Sequence, residues 1–166
     1  MKNTQDETAA SRFLREAARH QPETDLRMKG DTMATFASLK EAQDFFQMER
    51  FATTNGMQLD ELSETRAVCS MEIRENHLNA LNGVMGGATF TLADFASAAL
   101  TNHLHRPTVA QQVSINYLNG AKGTRLTAEC GIVKNGRSSI VTEVTVKDDT
   151  GRDIARMTVT SFKIVR

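Results

Sequence analysis

Between Ala88 and Leu100 the chain is a run of good helix formers. Its apolar members between Ala88 and Leu92, together with Phe95, Ala96, Ala99 and Leu100, cover most of a helix's circumference. A helix so apolar has to be enclosed by other structure, so the fold must wrap something around it. Asp94 is the exception, a carboxylate in the middle of that surface. Carboxylates are seldom buried without a partner or a task. Gly86 and Gly87 stand just before the run, where glycine can adopt backbone angles that other residues avoid. The helix therefore starts with bare N–H groups, and its dipole adds partial positive charge, a setting that suits an oxyanion or a polarised carbonyl. Eight residues separate Gly86 from Asp94, or roughly 12 Å along the axis. A base and an oxyanion donor must both lie about 3 Å from the reacting atoms. One copy of this helix cannot offer both groups to one acyl carbon, so if both act, two subunits share the site. On the residues alone, a glycine turn packed on a sheet and an aspartate facing water or capping a loop stand equal to that reading.

The length of 166 residues suits one domain, or one domain with an arm. Twenty acidic and twenty basic residues are interspersed at zero net charge, which argues against a nucleic-acid binder or a membrane-surface protein. No apolar run approaches a membrane span, and the opening Met1 to Glu7 lacks a signal peptide's apolar segment, so the expected address is the cytoplasm. Cys69 and Cys130 sit inside alternating strand patterns without metal-like spacing and are expected as buried, reduced thiols.

Residues 1–35 read as a polar arm, with a short helical pattern from Ala9 to Arg19 that Pro22 and Gly30 interrupt. Ser38 and Glu41 form a capping-box pattern, and Leu39, Ala42, Phe45, Phe46 and Phe51 recur at helical spacing, predicting one core-facing helix that stops at Asn55-Gly56. From Met57 the period changes. Met57–Leu62 and Thr65–Ile73 read as two strands, the long helix follows and ends near His103–Pro107, and four strands come after it. Val109, Val113, Ile115 and Tyr117 alternate with polar residues, as do Leu126, Ala128, Cys130 and Ile132. Asn135-Gly136 is a two-residue hairpin signal leading to Ile140, Val144 and Val146, and Asp148–Gly151 turns the chain into a last strand, Asp153 to Ile164. One long helix among hairpins predicts an α+β fold, an antiparallel sheet wrapped over that helix.

From about Phe46 to Ile164 the sequence resembles the hotdog-fold thioesterases of the phenylacetate-degradation type, which hydrolyse acyl-coenzyme A thioesters. Asn79, Gly86-Gly87, Leu92-Ala93-Asp94, the strand Val113–Leu118 and the turn Ala121–Gly123 carry the resemblance. It implies a curved antiparallel sheet around the long helix with an extra N-terminal helix, spanning 36–166, and a homodimer or homotetramer with active sites at the subunit interface. It further implies that Asp94 is the nucleophile or general base, that the Gly86 N–H polarises the thioester carbonyl, and that Asn79 positions the base or water. Thioesters are activated acyl groups, so a carboxylate and an aimed N–H suffice without metal or redox cofactor. Gly87, Met85 and Phe90 are candidate substrate contacts. Lys122, Arg137 and Ser138, in or beside predicted turns, are candidates for the coenzyme A phosphates, with ordinary solvated charges as the bland alternative.

Two residues depart from the family pattern. Met85 stands where a histidine usually precedes the glycine pair, and it offers no N–H and no charge. Ala110 stands where some relatives carry a serine or threonine on the strand after the helix. Both lower the expected rate. Met85 favours a rival reading, a non-catalytic module that binds acyl-CoA as a sensor or carrier, whereas Asp94, Asn79 and the glycine pair favour hydrolysis. His77 lies eight residues before Met85 and reads as a loop histidine. No histidine–carboxylate pair supports a hydratase, and no Gly-x-Ser-x-Gly elbow supports a serine hydrolase.

Overall fold

The computed structural model describes residues 34–165. In chain order these form helices α1 (Leu39–Phe46) and α2 (Arg50–Thr54), strands β1 (Met57–Leu62) and β2 (Arg66–Glu72), and a single 3-10 turn at Glu75–His77. The long helix α3 (Gly86–Leu104) and strands β3 (Thr108–Tyr117), β4 (Arg125–Asn135), β5 (Ser139–Asp148) and β6 (Asp153–Lys163) follow. The strands make one antiparallel sheet in the order β1-β2-β4-β5-β6-β3. Its concave face closes on α3, where Leu92, Ala93, Ala96, Ala99 and Leu100 are fully buried. Alanines at three of those positions let the helix approach Ala67, Cys69, Ala128 and Cys130 on β2 and β4 closely. This is the expected hotdog architecture. Both cysteines are free and buried, and burial pushes the Cys130 thiol up to about 12. The arm expected over residues 1–35 lies, apart from its last two residues, outside the described residues. Among those described, no helix is long and apolar enough to cross a membrane.

The helix predicted from Ser38 to Asn55 is broken in two. Ser38 does cap it, accepting from the Glu41 N–H at 3.2 Å, and Gly56 does end the segment at φ +76°. Between them the N–H groups of Met48 and Glu49 reach back three residues, to Phe45 and Phe46, and the chain bends. Phe46 and Ala52 are both buried, yet on one straight helix they would point about 120° apart. The bend turns both inward and leaves Phe51 71% exposed, so the expectation that Phe51 is a core residue fails.

The Asn135-Gly136 signal is also displaced. The Gly136 N–H donates to Ser139 O at 2.9 Å, so Arg137 and Ser138 occupy the turn, and neither Asn135 nor Gly136 has a positive φ. The ladder between β4 and β5 slips between Ile132 and Lys134, and this bulge moves the turn along the chain. The Asp148–Gly151 turn forms as read, with Gly151 at φ +85°.

That turn holds a neighbouring loop. The buried Asp148 carboxylate accepts from the N–H groups of Lys122 (2.9 Å), Gly123 (3.2 Å), Thr150 (3.1 Å) and Arg152 (3.1 Å), and from the Thr150 hydroxyl (2.6 Å). These donors, the Thr150 hydroxyl foremost, hold its carboxyl well below the usual carboxylate range. A carboxyl depressed in the folded state stabilises above its unfolded pKa and loses that contribution as pH falls. Asp148→Asn is expected to lower Tm by several degrees at neutral pH, with the gap closing on acidification in parallel melts. A gap independent of pH would show that the charge is not what matters.

Candidate active site

The approach to α3 is built by one asparagine. Asn79 Oδ1 accepts from the N–H groups of Leu81 (2.9 Å) and Gly83 (3.2 Å), while its own N–H donates to Gly83 O at 2.8 Å. Asn82, at φ +59°, closes the loop by donating to Asn79 O. The Asn79 oxygen is therefore occupied within the loop, and its Nδ2 is the part left to meet a ligand. His77 is buried and structural: Nδ1 accepts from the Arg74 N–H at 3.0 Å, so Nε2 carries the proton and donates to Asn55 O at 3.0 Å. His77 O in turn receives the Met85 N–H at 2.8 Å and sets where the helix begins.

Met85 is the N-cap. Its carbonyl accepts from Ala88 and Thr89, and its side chain makes no capping bond. The N–H groups of Gly86 and Gly87 have no acceptor among the described residues. The reason for glycine differs from the one the sequence suggested, because neither residue has a positive φ. Close approach to Tyr117 explains Gly86, whereas at Gly87 a Cβ would meet only the flexible end of Met85. A Cβ on Gly86 would lie 3.1 Å from Tyr117 Cζ, and one on Gly87 would lie 2.7 Å from Met85 Cε.

Asp94 sits two turns further along. Most of α3 is buried, but Phe90, Asp94, Ala98 and Asn102, spaced by four, form a half-buried stripe that the subunit's own sheet leaves uncovered. The Asp94 carboxylate accepts no hydrogen bond among the described residues, and burial raises its pKa above the ordinary aspartate value. Glu49, in the bend between α1 and α2, is raised as well, first by burial and then by the negative charge of Asp94. Glu49 was not singled out from the sequence, since only the bend brings it toward Asp94. A cavity of about 400 Å3 between α1, α2 and β1 is lined by Phe46 and Phe95, among others, and includes neither Asp94 nor Gly86.

The candidate phosphate contacts do not come together within one subunit. Lys122 is exposed in the β3–β4 connection, at the end of the sheet where Tyr117 reaches Gly86. Arg137 and Ser138 lie beyond the far end of β4, an eleven-residue strand about 33 Å long. Turns adjacent in sequence lie at opposite ends of the strand between them, and that separates these residues from Lys122. Among the described residues strand β3 is an edge of the sheet, paired only with β6; Val109 and Tyr117 are 49% and 53% exposed instead of facing a core, and Ala110 is exposed beside a bulge.

A single helix held in a curved antiparallel sheet, entered through unpartnered N–H groups and carrying a half-buried carboxylate, places this molecule in the hotdog class. Comparison with known proteins narrows it further. The model of the thioesterase superfamily matches residues 81–155. Human acyl-coenzyme A thioesterase 13 is 32% identical over 95 residues, 55% of this chain and 68% of the human one. A mutant of the phenylacetic acid degradation protein PaaI from Thermus thermophilus superposes with a TM-score of 0.66 at 28% identity, covering 69% of this chain and 99% of that chain. A Streptococcus pneumoniae protein described as a hypothetical thioesterase, solved with coenzyme A, gives 0.69 at 26% identity over 75% of this chain and 98% of its own. The chain belongs to the thioesterase superfamily.

Proposed function

We propose that this protein hydrolyses acyl-CoA thioesters at a site shared between two subunits. The observation that carries the reading is the pairing of two unpartnered N–H groups at the start of α3 with an unpaired, half-buried carboxylate roughly 12 Å along the same helix. Among the described residues neither group has a structural partner, and one copy of the helix holds them too far apart to meet one carbon. The exposed edge β3 and the half-buried stripe of α3 are surfaces a second copy would cover. Acyl-CoA as the substrate is supported by the name of the human relative and by the coenzyme A in the Streptococcus pneumoniae structure.

In this mechanism the thioester carbonyl of one subunit's ligand accepts from the Gly86 N–H, and Gly87 supplies a second donor. Asp94 of the other subunit, ionised, takes a proton from water as the water oxygen bonds to the acyl carbon. Collapse of the adduct breaks the C–S bond, and the departing thiolate takes the proton from Asp94. Nδ2 of Asn79 helps orient the water. Met85 and Phe90 flank the acyl group, and Lys122 meets a phosphate of the nucleotide. Arg137 and Ser138 reach the same ligand only from the other subunit. The Met85 side chain supplies no N–H, which favours a second reading, an acyl-CoA-binding module without turnover.

Free-thiol release from a panel of acyl-CoA thioesters decides between them. Negligible release, with acyl-CoA still raising Tm, would establish the binding module. For the hydrolase, the rate must rise with pH as Asp94 ionises. Because burial raises that pKa, the acid limb of kcat is expected above the ordinary aspartate value of about 3.9. A rate flat across the carboxylate range would remove Asp94 as the base.

A further inference from the structure

Tyr117 is not explained by the mechanism above, yet its ring and hydroxyl both contact Gly86. It ends β3, pairs with Ala155 on β6, and is followed by Leu118, whose N–H donates to Ile154 O at 2.8 Å, so its backbone is anchored to the sheet. Its hydroxyl donates to Gly86 O at 3.0 Å, and its ring lies against the face of Gly86 where a Cβ would be 3.1 Å away.

The carbonyl that Tyr117 grips belongs to the peptide joining Gly86 to Gly87. A peptide is a rigid plane, so fixing its oxygen fixes the aim of the N–H on its other side, which is that of Gly87. The ring meanwhile limits how far Gly86 can rotate, at a residue type that restrains itself least. We propose that Tyr117 is the positioning residue of the oxyanion donors, clamping the glycine pair to the end of the sheet so that both N–H groups point at the thioester oxygen. The inference rests on the thioesterase reading and adds a residue to it. It also explains why residue 86 is glycine although its φ does not require one: an alanine would push the clamp away.

Two comparisons of thiol-release kinetics test this. Tyr117→Phe keeps the ring and loses the grip on the carbonyl; kcat is expected to fall about 10-fold with KM within about 2-fold of wild type and the melting temperature nearly unchanged, a split that a purely structural role would not produce. Gly86→Ala retains its N–H, so in the wild-type background it should lower kcat about 10-fold by displacing Tyr117. Introduced into Tyr117→Ala, the same change should lower kcat less than about 2-fold further. Wild-type kcat in Tyr117→Phe, or an equal factor for Gly86→Ala in both backgrounds, overturns the clamp while leaving the thioesterase reading intact. A wild type that releases no thiol from any acyl-CoA overturns both.

Discussion

Asp94→Asn is expected to lower thiol release from acyl-CoA by about 10²- to 10⁴-fold without lowering the melting temperature. The substitution is nearly isosteric, and among the described residues the carboxylate accepts no hydrogen bond that the amide would forfeit. The base alone is removed. The stability expectation follows from the direction of the pKa shift, which burial drives upward. A group whose folded pKa is raised contributes stability that is fully present below its unfolded pKa and is lost as pH rises through the folded value. At neutral pH the ionised Asp94 therefore weakens the fold, more so with Glu49 nearby, and the amide relieves that burden. Melts across pH should show the variant at or above wild type near neutrality and level with it at acid pH. A variant that keeps its rate would end the base assignment. One that melts clearly lower would mean the carboxylate has a structural partner. Raised stability on loss of a catalytic group is the usual price of burying a charge for chemistry.

The second large effect tests the sharing of the site. Gly86 is the first residue of α3, the one helical position where proline is well tolerated, and Met85 already has the extended backbone that proline requires of its predecessor (φ −64°, ψ 135°). Gly86→Pro removes the donor N–H and keeps the helix, although Tyr117 must yield a few tenths of an ångström to the ring. Loss of one oxyanion donor lowers kcat by about 10²- to 10³-fold. Each variant alone should be nearly inactive. If Asp94 of one subunit serves the N–H groups of the other, equal parts of Asp94→Asn and Gly86→Pro, unfolded and refolded together, should recover about a quarter of wild-type activity. Half of the randomly formed dimers are then mixed, and each mixed dimer holds one intact site of two. No recovery, with mixed dimers demonstrated by differential tagging, would place both groups within a single subunit.

Much of this molecule was legible in one dimension, and the legible part has a common character. The apolar circumference of α3, the alternation of β4, β5 and β6, the Ser38 cap and the Gly56 and Gly151 turns are patterns whose period or residue type has a local cause. Asp94 stood out for the same reason, as a charge in a stretch that burial would otherwise make apolar. The glycine pair was visible too, although its physical reason was not, because Tyr117 lies 31 residues from Gly86. Phe51 misled because helical spacing says nothing about where a helix stops obeying it.

By itself, then, the amino-acid sequence determined which elements form, that one of them must be wrapped by the rest, and that its N-terminus and its lone carboxylate lie roughly 12 Å apart along one helix. Those conclusions need only backbone periodicity and helix rise, which are local. The tertiary structure alone decided what sits against what: Tyr117 on Gly86, Met85 over Gly87, Glu49 toward Asp94, and Arg137 at the opposite end of β4 from Lys122. Each of those depends on a bend, a bulge or a strand direction that joins residues far apart in the chain, and no local pattern encodes them.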